Sequence, residues 1–139
     1  MSEDTQSRYK VLIVDDEPDI LEFVGYNLRK QGYEVITAAN GRDAVGKAMD
    51  TLPHLILLDV MMPEMDGMET CRMIRSHPEL AGTIIAFLTA RNEDYSQIEG
   101  FESGADDYIT KPIRINVLVS RIKALLKRAE SFMHDAVPS

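Results

Sequence analysis

The sequence predicts an α/β protein in which five short strands form one parallel sheet, with helices on both of its faces. Three observations carry that prediction. Short apolar, largely β-branched runs without a helical face recur along the chain, as at 11–14, 55–58 and 83–88; continuous apolar runs of this length suit strands buried on both faces of a parallel sheet. Between them lie segments whose apolar residues recur at three- and four-residue spacing, the mark of amphipathic helices. The two patterns alternate from end to end, which implies βαβ units with right-handed crossovers. A length of 139 residues fits one domain able to bury a core.

The elements follow in order. Residues 11–14 form the first strand and run into Asp15, Asp16 and Glu17. Pro18 suits the first turn of a helix, where its missing N–H costs nothing; Ile20, Leu21, Val24 and Leu28 continue that helix and Gly32 stops it. Residues 33–38 read as the second strand and Asn40-Gly41 as a turn. Ala44, Val45, Ala48 and Met49 mark a second helix, ended before Pro53. The third strand, 55–58, delivers Asp59; Pro63 and Asp66-Gly67 then break regular structure, so Asp59 opens a loop. Met68, Cys71 and Ile74 lie on a third helix. Residues 83–88 form the fourth strand and end at Thr89-Ala90, while Ile98 and Phe101 mark a fourth helix closed by Gly104. Residues 107–110 form a short fifth strand before Lys111-Pro112. A last helix carries Val117, Leu118, Ile122, Leu125 and Leu126 and is expected to end near Arg128. The organisation expected is a disordered segment over 1–9, a domain over 10–128, and a tail or the start of a linker over 129–139.

Composition narrows the function classes. A net charge of −8 argues against electrostatically driven nucleic-acid binding. No apolar segment approaches the roughly 18 residues of a membrane span, and no signal peptide is visible. Cys71 is alone, so no disulfide framework is expected and a reducing, cytoplasmic setting is the default.

In a parallel sheet the carboxyl ends of all strands share one edge, where open α/β sheets bind ligands. That edge is expected to receive Asp15 and Asp16 from strand one, Asp59 from strand three, Thr89 from strand four and Lys111 from strand five. Singly, each has an ordinary reading: a capping carboxylate, a β-favouring threonine, a surface lysine. Together they bring three carboxylates, a hydroxyl and an ammonium from separated places in the chain. Like charges about 4 Å apart repel by about 4 kcal/mol at an effective dielectric near 20, so such a cluster raises its own pKa values or recruits a cation. An all-oxygen donor set suits Mg²⁺ or Mn²⁺ and lacks the soft ligands zinc prefers. A cation and Lys111 facing Asp59 would form a positive cradle for a transferring phosphoryl group.

The motifs VLIVDDEPDI, LILLDVMMPEMDG, FLTA and GADDYITKP, in this order, resemble the receiver domain of bacterial response regulators, the CheY-like family, over residues 10–128. The resemblance implies a flavodoxin-like (βα)5 fold with strand order 2-1-3-4-5. It implies that Asp59 is the phosphoacceptor, attacking a phosphohistidine on a partner histidine kinase. It implies that Asp16 and Asp59 ligate Mg²⁺ (or Mn²⁺), that Asp15 acts through water, and that the Met61 carbonyl adds an oxygen. Lys111, the Thr89 hydroxyl and the Ala90 backbone N–H would bind the phosphoryl oxygens, Tyr108 would be the aromatic switch residue, and the Lys111-Pro112 bond would be cis. Phosphorylation would then shift Thr89 and Tyr108 and rearrange the face built from helix four, strand five and helix five, controlling an output such as transcription. The protein would promote its own phosphorylation and dephosphorylation without being a conventional enzyme.

The last third resembles the OmpR/PhoB subfamily, whose members dimerise through that face by ion pairs. Asp106, Asp107, Arg121, Lys123 and Arg128 match its charged positions. Gln97 and Val117 depart from it, standing where a basic residue and a glutamate usually pair; the same charges read equally well as solvated helix faces. Any contact with DNA would come only through an output domain outside this segment.

Other patterns fall away. GRDAVGK at 41–47 approaches phosphate-loop spacing, but Ala48 replaces the required hydroxyl. His54, His77 and His134 share no metal or triad spacing, and Cys71 lies on an apolar stripe. Two rival functions stand beside the switch. A Mg²⁺-dependent phosphohydrolase with an aspartyl-phosphate intermediate needs a second acid/base near its nucleophile, where this chain offers Met61. A phosphorylation-independent interaction module would not need the complete set of site residues.

Overall fold

In the computed structural model five parallel strands form a single sheet in the order β2-β1-β3-β4-β5. The structure describes residues 9–89 and 102–136. The strands are β1 (Lys10–Val14), β2 (Glu34–Ala38), β3 (Leu55–Asp59), β4 (Ile84–Thr89) and β5 (Asp107–Thr110). The helices are α1 (Pro18–Lys30), α2 (Gly41–Thr51), α3 (Gly67–Arg75) and a C-terminal helix (Ile115–Ala136).

The apolar runs are continuous because both sheet faces are covered. Successive strand side chains alternate between faces. Val11, Ile13, Leu55, Leu57, Ala86 and Leu88 therefore pack with Val24 and Leu28 of α1 and with Leu118, Ile122 and Leu125 of the C-terminal helix. Leu12, Val14, Ile56, Leu58, Ile85 and Phe87 point the other way, onto Ala44 and Ala48 of α2 and Cys71 and Ile74 of α3. Each fully buried leucine or isoleucine contributes about 1.5–3 kcal/mol relative to exposure. The central strand β3 is buried at every position.

Registers align the strand ends. Val14 pairs with Leu58, Asp59 with Leu88, and Thr89 with Thr110. The residues that follow β1 and β5, Asp15 and Lys111, thus emerge beside Asp59 and Thr89.

Two boundaries and one added turn differ from the sequence reading. Tyr9 belongs to the fold: it packs on the core, and its ring meets His54 edge-on at 5.1 Å between centroids. The C-terminal helix does not end near Arg128 but continues to Ala136, because no glycine or proline interrupts it before Pro138. A short 3-10 turn, Pro78–Leu80, precedes β4 and buries Leu80. The fourth helix, expected around Ile98 and Phe101, lies outside the described residues, as do Ala90, Gln97 and residues 1–8. No helix among the described residues is long and apolar enough to cross a membrane.

Candidate functional site

Asp15 leaves β1 fully buried. Its backbone N–H donates to the Ala38 carbonyl at 3.2 Å, and its Oδ1 accepts the Glu17 N–H at 2.9 Å. This short turn fixes the carboxylate before α1 begins. Asp59 is the last residue of β3 and only 4% exposed. Beyond it, Val60 N–H donates to the Leu88 carbonyl at 3.1 Å, and Gly67 N–H returns to the Val60 carbonyl at 2.9 Å. The loop therefore folds back onto the strand that feeds it. Gly67 is required there, since a Cβ would overlap the Asp59 carbonyl oxygen and the Val60 Cα. Asp66 starts α3 by accepting the Glu69 N–H at 2.9 Å, an N-cap of the usual kind.

Lys111 reaches the same place from β5. Its N–H donates to the Thr89 carbonyl at 2.7 Å, and its bond to Pro112 is cis. Its Nζ stands 3.4 Å from Asp15 Oδ2, 3.4 Å from Asp59 Oδ1 and 3.7 Å from Glu17 Oε1. One ammonium faces three carboxylates. Burial, and after it the charge of Asp15, push the Asp59 carboxyl up to about 6 against the opposing effects of Lys111 and a hydrogen bond from the Met61 backbone. Burial lowers the Lys111 pKa, but Asp59 and Asp15 outweigh that effect and leave it raised, so the side chain stays charged.

Carboxylate oxygens of Asp15, Asp16 and Asp59 lie within 4.8 Å of one another, with Asp16 exposed and the other two buried. The donor set is all oxygen. Burial first, and then the charge of Asp15, hold Asp59 above the usual carboxylate range even with Lys111 beside it. These residues fit a hard divalent cation such as Mg²⁺.

Thr89 is buried at the end of β4. Tyr108 of β5 is half-buried against the α2/α3-side core. It also borders an open cavity of about 420 Å³ that Pro112, Arg114, Val117 and Arg121 help to line. Met61 is exposed beside the acidic cluster. The charges expected on a dimer face are partly engaged within the chain. Arg121 Nε meets Asp107 Oδ2 at 3.1 Å. Asp106 Oδ2 takes Arg75 Nη2 and the Ile85 N–H, each at 2.9 Å. Lys123 and Arg128 are exposed.

Three residues escaped sequence reasoning. Glu17 lies in the acidic run after β1, yet nothing in that run pointed to its proximity to Lys111. Gly67 read only as a helix and strand breaker, not as the contact that lets the loop pack on Asp59. Arg75 had no signal at all. Its guanidinium also donates to the carbonyls of Gly104 at 2.8 Å, Thr83 at 2.7 Å and Leu80 at 3.2 Å, tying α3 to the entries of β4 and β5.

The fold and the edge on which these residues meet define a CheY-like α/β signalling domain. A family model described as the response regulator receiver domain matches residues 11–123, and the chain belongs to that family. It is 45% identical over 121 residues to the alkaline phosphatase synthesis transcriptional regulatory protein PhoP of Bacillus subtilis (strain 168), covering 87% of this chain and 50% of that protein. The chain thus spans half the length of this curated relative. Among solved structures it resembles the chemotaxis protein CheY4 of Vibrio cholerae, with a TM-score of 0.80 at 35% identity, covering 84% of this chain and 97% of that one. It likewise resembles a two-component response regulator from Clostridium difficile, with a TM-score of 0.80 at 32% identity, covering 86% and 97%.

Proposed function

We propose that this receiver domain carries its signal on Asp59, as an acyl phosphate taken from a phosphohistidine of a sensor kinase. The observation that carries the assignment is the Lys111 ammonium, 3.4 Å from both of the buried carboxylates Asp59 and Asp15. Asp59 has a pKa of about 6, so at neutral pH it is mostly ionised and needs no base to act as a nucleophile. An Asp59 oxygen attacks the phosphorus, the bond from phosphorus to the histidine nitrogen breaks, and the electron pair leaves with the imidazole. Lys111 stands where it can neutralise the incoming phosphoryl oxygens, and the Thr89 hydroxyl and the Ala90 N–H are assigned to the same oxygens. Asp15, Asp16, Asp59 and the Met61 carbonyl would hold Mg²⁺ or Mn²⁺, which supplies charge neutralisation for phosphoryl transfer. The same groups accelerate attack by water on the acyl phosphate, so the domain promotes its own reset.

Phosphorylation adds about −1.5 to −2 charges and strong acceptor oxygens. Thr89 satisfies one acceptor by moving toward it, and the half-buried Tyr108, next to the cavity bounded by Val117 and Arg121, turns into the space released. That local change biases a two-state face on β5 and the C-terminal helix. The Bacillus relative is a transcriptional regulatory protein; by analogy the output here is control of transcription, in the cytoplasm. A homodimer through this face would use Lys123 and Arg128 and would exchange the Asp107–Arg121 and Asp106–Arg75 pairs for pairs between subunits. The phosphohydrolase reading is weaker, because two residues after Asp59 the chain offers the exposed Met61 rather than a carboxylate.

Binding of beryllofluoride in the presence of Mg²⁺, followed by NMR or intrinsic tyrosine fluorescence, tests the proposal. Saturable binding that Asp59→Asn abolishes supports it; multiple turnover of small phosphoesters would favour the hydrolase instead.

A further inference from the structure

Of the three carboxylates around Lys111, Asp15 and Asp59 belong to the buried site, and Glu17 does not. Its Oε1 stands 3.7 Å from Lys111 Nζ, and its side chain is 64% exposed. Its backbone is part of the scaffold, donating to Asp15 Oδ1 at 2.9 Å. It precedes Pro18, which opens α1, and makes no side-chain cap on that helix. Helix capping therefore does not account for the side chain.

We infer that Glu17 is a positioning residue that restrains Lys111 from the rim and lowers the affinity of the site for a phosphoryl group. The inference rests on the phosphoacceptor reading of Asp59. In the unphosphorylated protein Lys111 is shared by three anions. A divalent cation on Asp15, Asp16 and Asp59 would offset the charge of the two buried carboxylates. Glu17, outside that donor set, would keep its full hold on the ammonium. When phosphoryl oxygens arrive, Lys111 must leave Glu17 to meet them, so the pair works against the phosphorylated state. The ion pair is exposed, and exposed pairs are weak; removing it is expected to strengthen phosphoryl-analogue binding by about two- to fivefold.

The test compares beryllofluoride affinity at fixed Mg²⁺ for the wild type, Glu17→Gln, Glu17→Asp and Asp19→Asn. The last removes a charge from the first turn of the same helix and measures the general effect of a less negative rim. Glu17→Asp keeps the charge but shortens the reach to Lys111. The expected result is tighter binding by about two- to fivefold for Glu17→Gln, a smaller gain for Glu17→Asp, and little change for Asp19→Asn. A shift of the Lys111 ammonium resonance in phosphate-free Glu17→Gln should accompany it, which a purely structural role for Glu17 would not produce. Unchanged or weaker binding by Glu17→Gln, or an equal gain from Asp19→Asn, would overturn the inference. Loss of binding by the wild type itself would instead remove the phosphoacceptor reading beneath it.

Discussion

Lys111 Nζ lies 3.4 Å from Asp59 Oδ1 although 52 positions separate the two residues in sequence. The contact exists because β3 and β5 flank β4 in a parallel sheet and end on the same edge. It brings a cation to the only buried carboxylate that closes a strand among the described residues.

Asp59→Asn is expected to stabilise the cation-free protein at neutral pH. The Asp59 pKa is raised from 3.8 to about 6 in the folded chain, so folding favours the protonated form. The penalty for holding Asp59 ionised is absent below its unfolded value, grows from about pH 4 to pH 6, and is complete above that. Urea unfolding at pH 7.5 should show the variant more stable by about 1–3 kcal/mol, with the advantage fading toward pH 4. Equal stabilities at both pH values would contradict the account.

Mg²⁺ should stabilise the wild type and not the site variants. A ligand at a hundredfold its Kd adds about 2.7 kcal/mol to folding. Asp16 is exposed, so Asp16→Asn is expected to fold normally and to lose most of the rise in Tm that Mg²⁺ gives the wild type. An undiminished rise in that variant would remove Asp16 from the cation site.

Gly67→Ala should damage both stability and the site, because its methyl group would overlap the backbone that carries Asp59. Overpacking against backbone costs about 1–3 kcal/mol. Displacement of the Asp59–Val60 segment should also weaken beryllofluoride binding by the folded fraction. Gly46 and Gly82, where a Cβ meets nothing within 4 Å, supply the controls: alanine there should leave binding unchanged.

Arg75→Met separates fold from site. It removes the ion pair with Asp106 and the bonds to Gly104, Leu80 and Thr83, at a cost of about 1–3 kcal/mol. None of these partners touches Lys111 or Asp59, so phosphoryl-analogue affinity in the folded fraction should be unchanged. A parallel loss of affinity would show that the entry to β5 controls Lys111.

The strands and the meeting of the candidate site residues on one edge were legible for one reason: those residues sit at strand ends, and a strand end can be read wherever an apolar run meets a charge. Leu55 to Asp59 is such a place, and so are Val14-Asp15 and Thr110-Lys111. What escaped depends on how loops return. Glu17 reaches Lys111 only because its turn is pinned on Asp15, and Gly67 matters only because the loop after β3 doubles back to Val60. Arg75 meets partners up to 31 residues away through a side chain that carries no spacing pattern. The C-terminal helix runs past Arg128 to Ala136, and Ala129, Phe132, Met133 and Ala136 continue the helical spacing of its apolar residues, a continuation the reading that stopped at Leu126 passed over.

The role proposed for Asp59, as the acceptor of the phosphoryl group, is tested by chemical mapping of the acyl phosphate. The protein would be incubated with acetyl phosphate and Mg²⁺, reduced with borohydride, and the modified residue located by mass spectrometry. A single modification at Asp59, absent from Asp59→Asn and dependent on Mg²⁺, is the predicted result. Modification at another residue, or labelling that persists in Asp59→Asn, would contradict it.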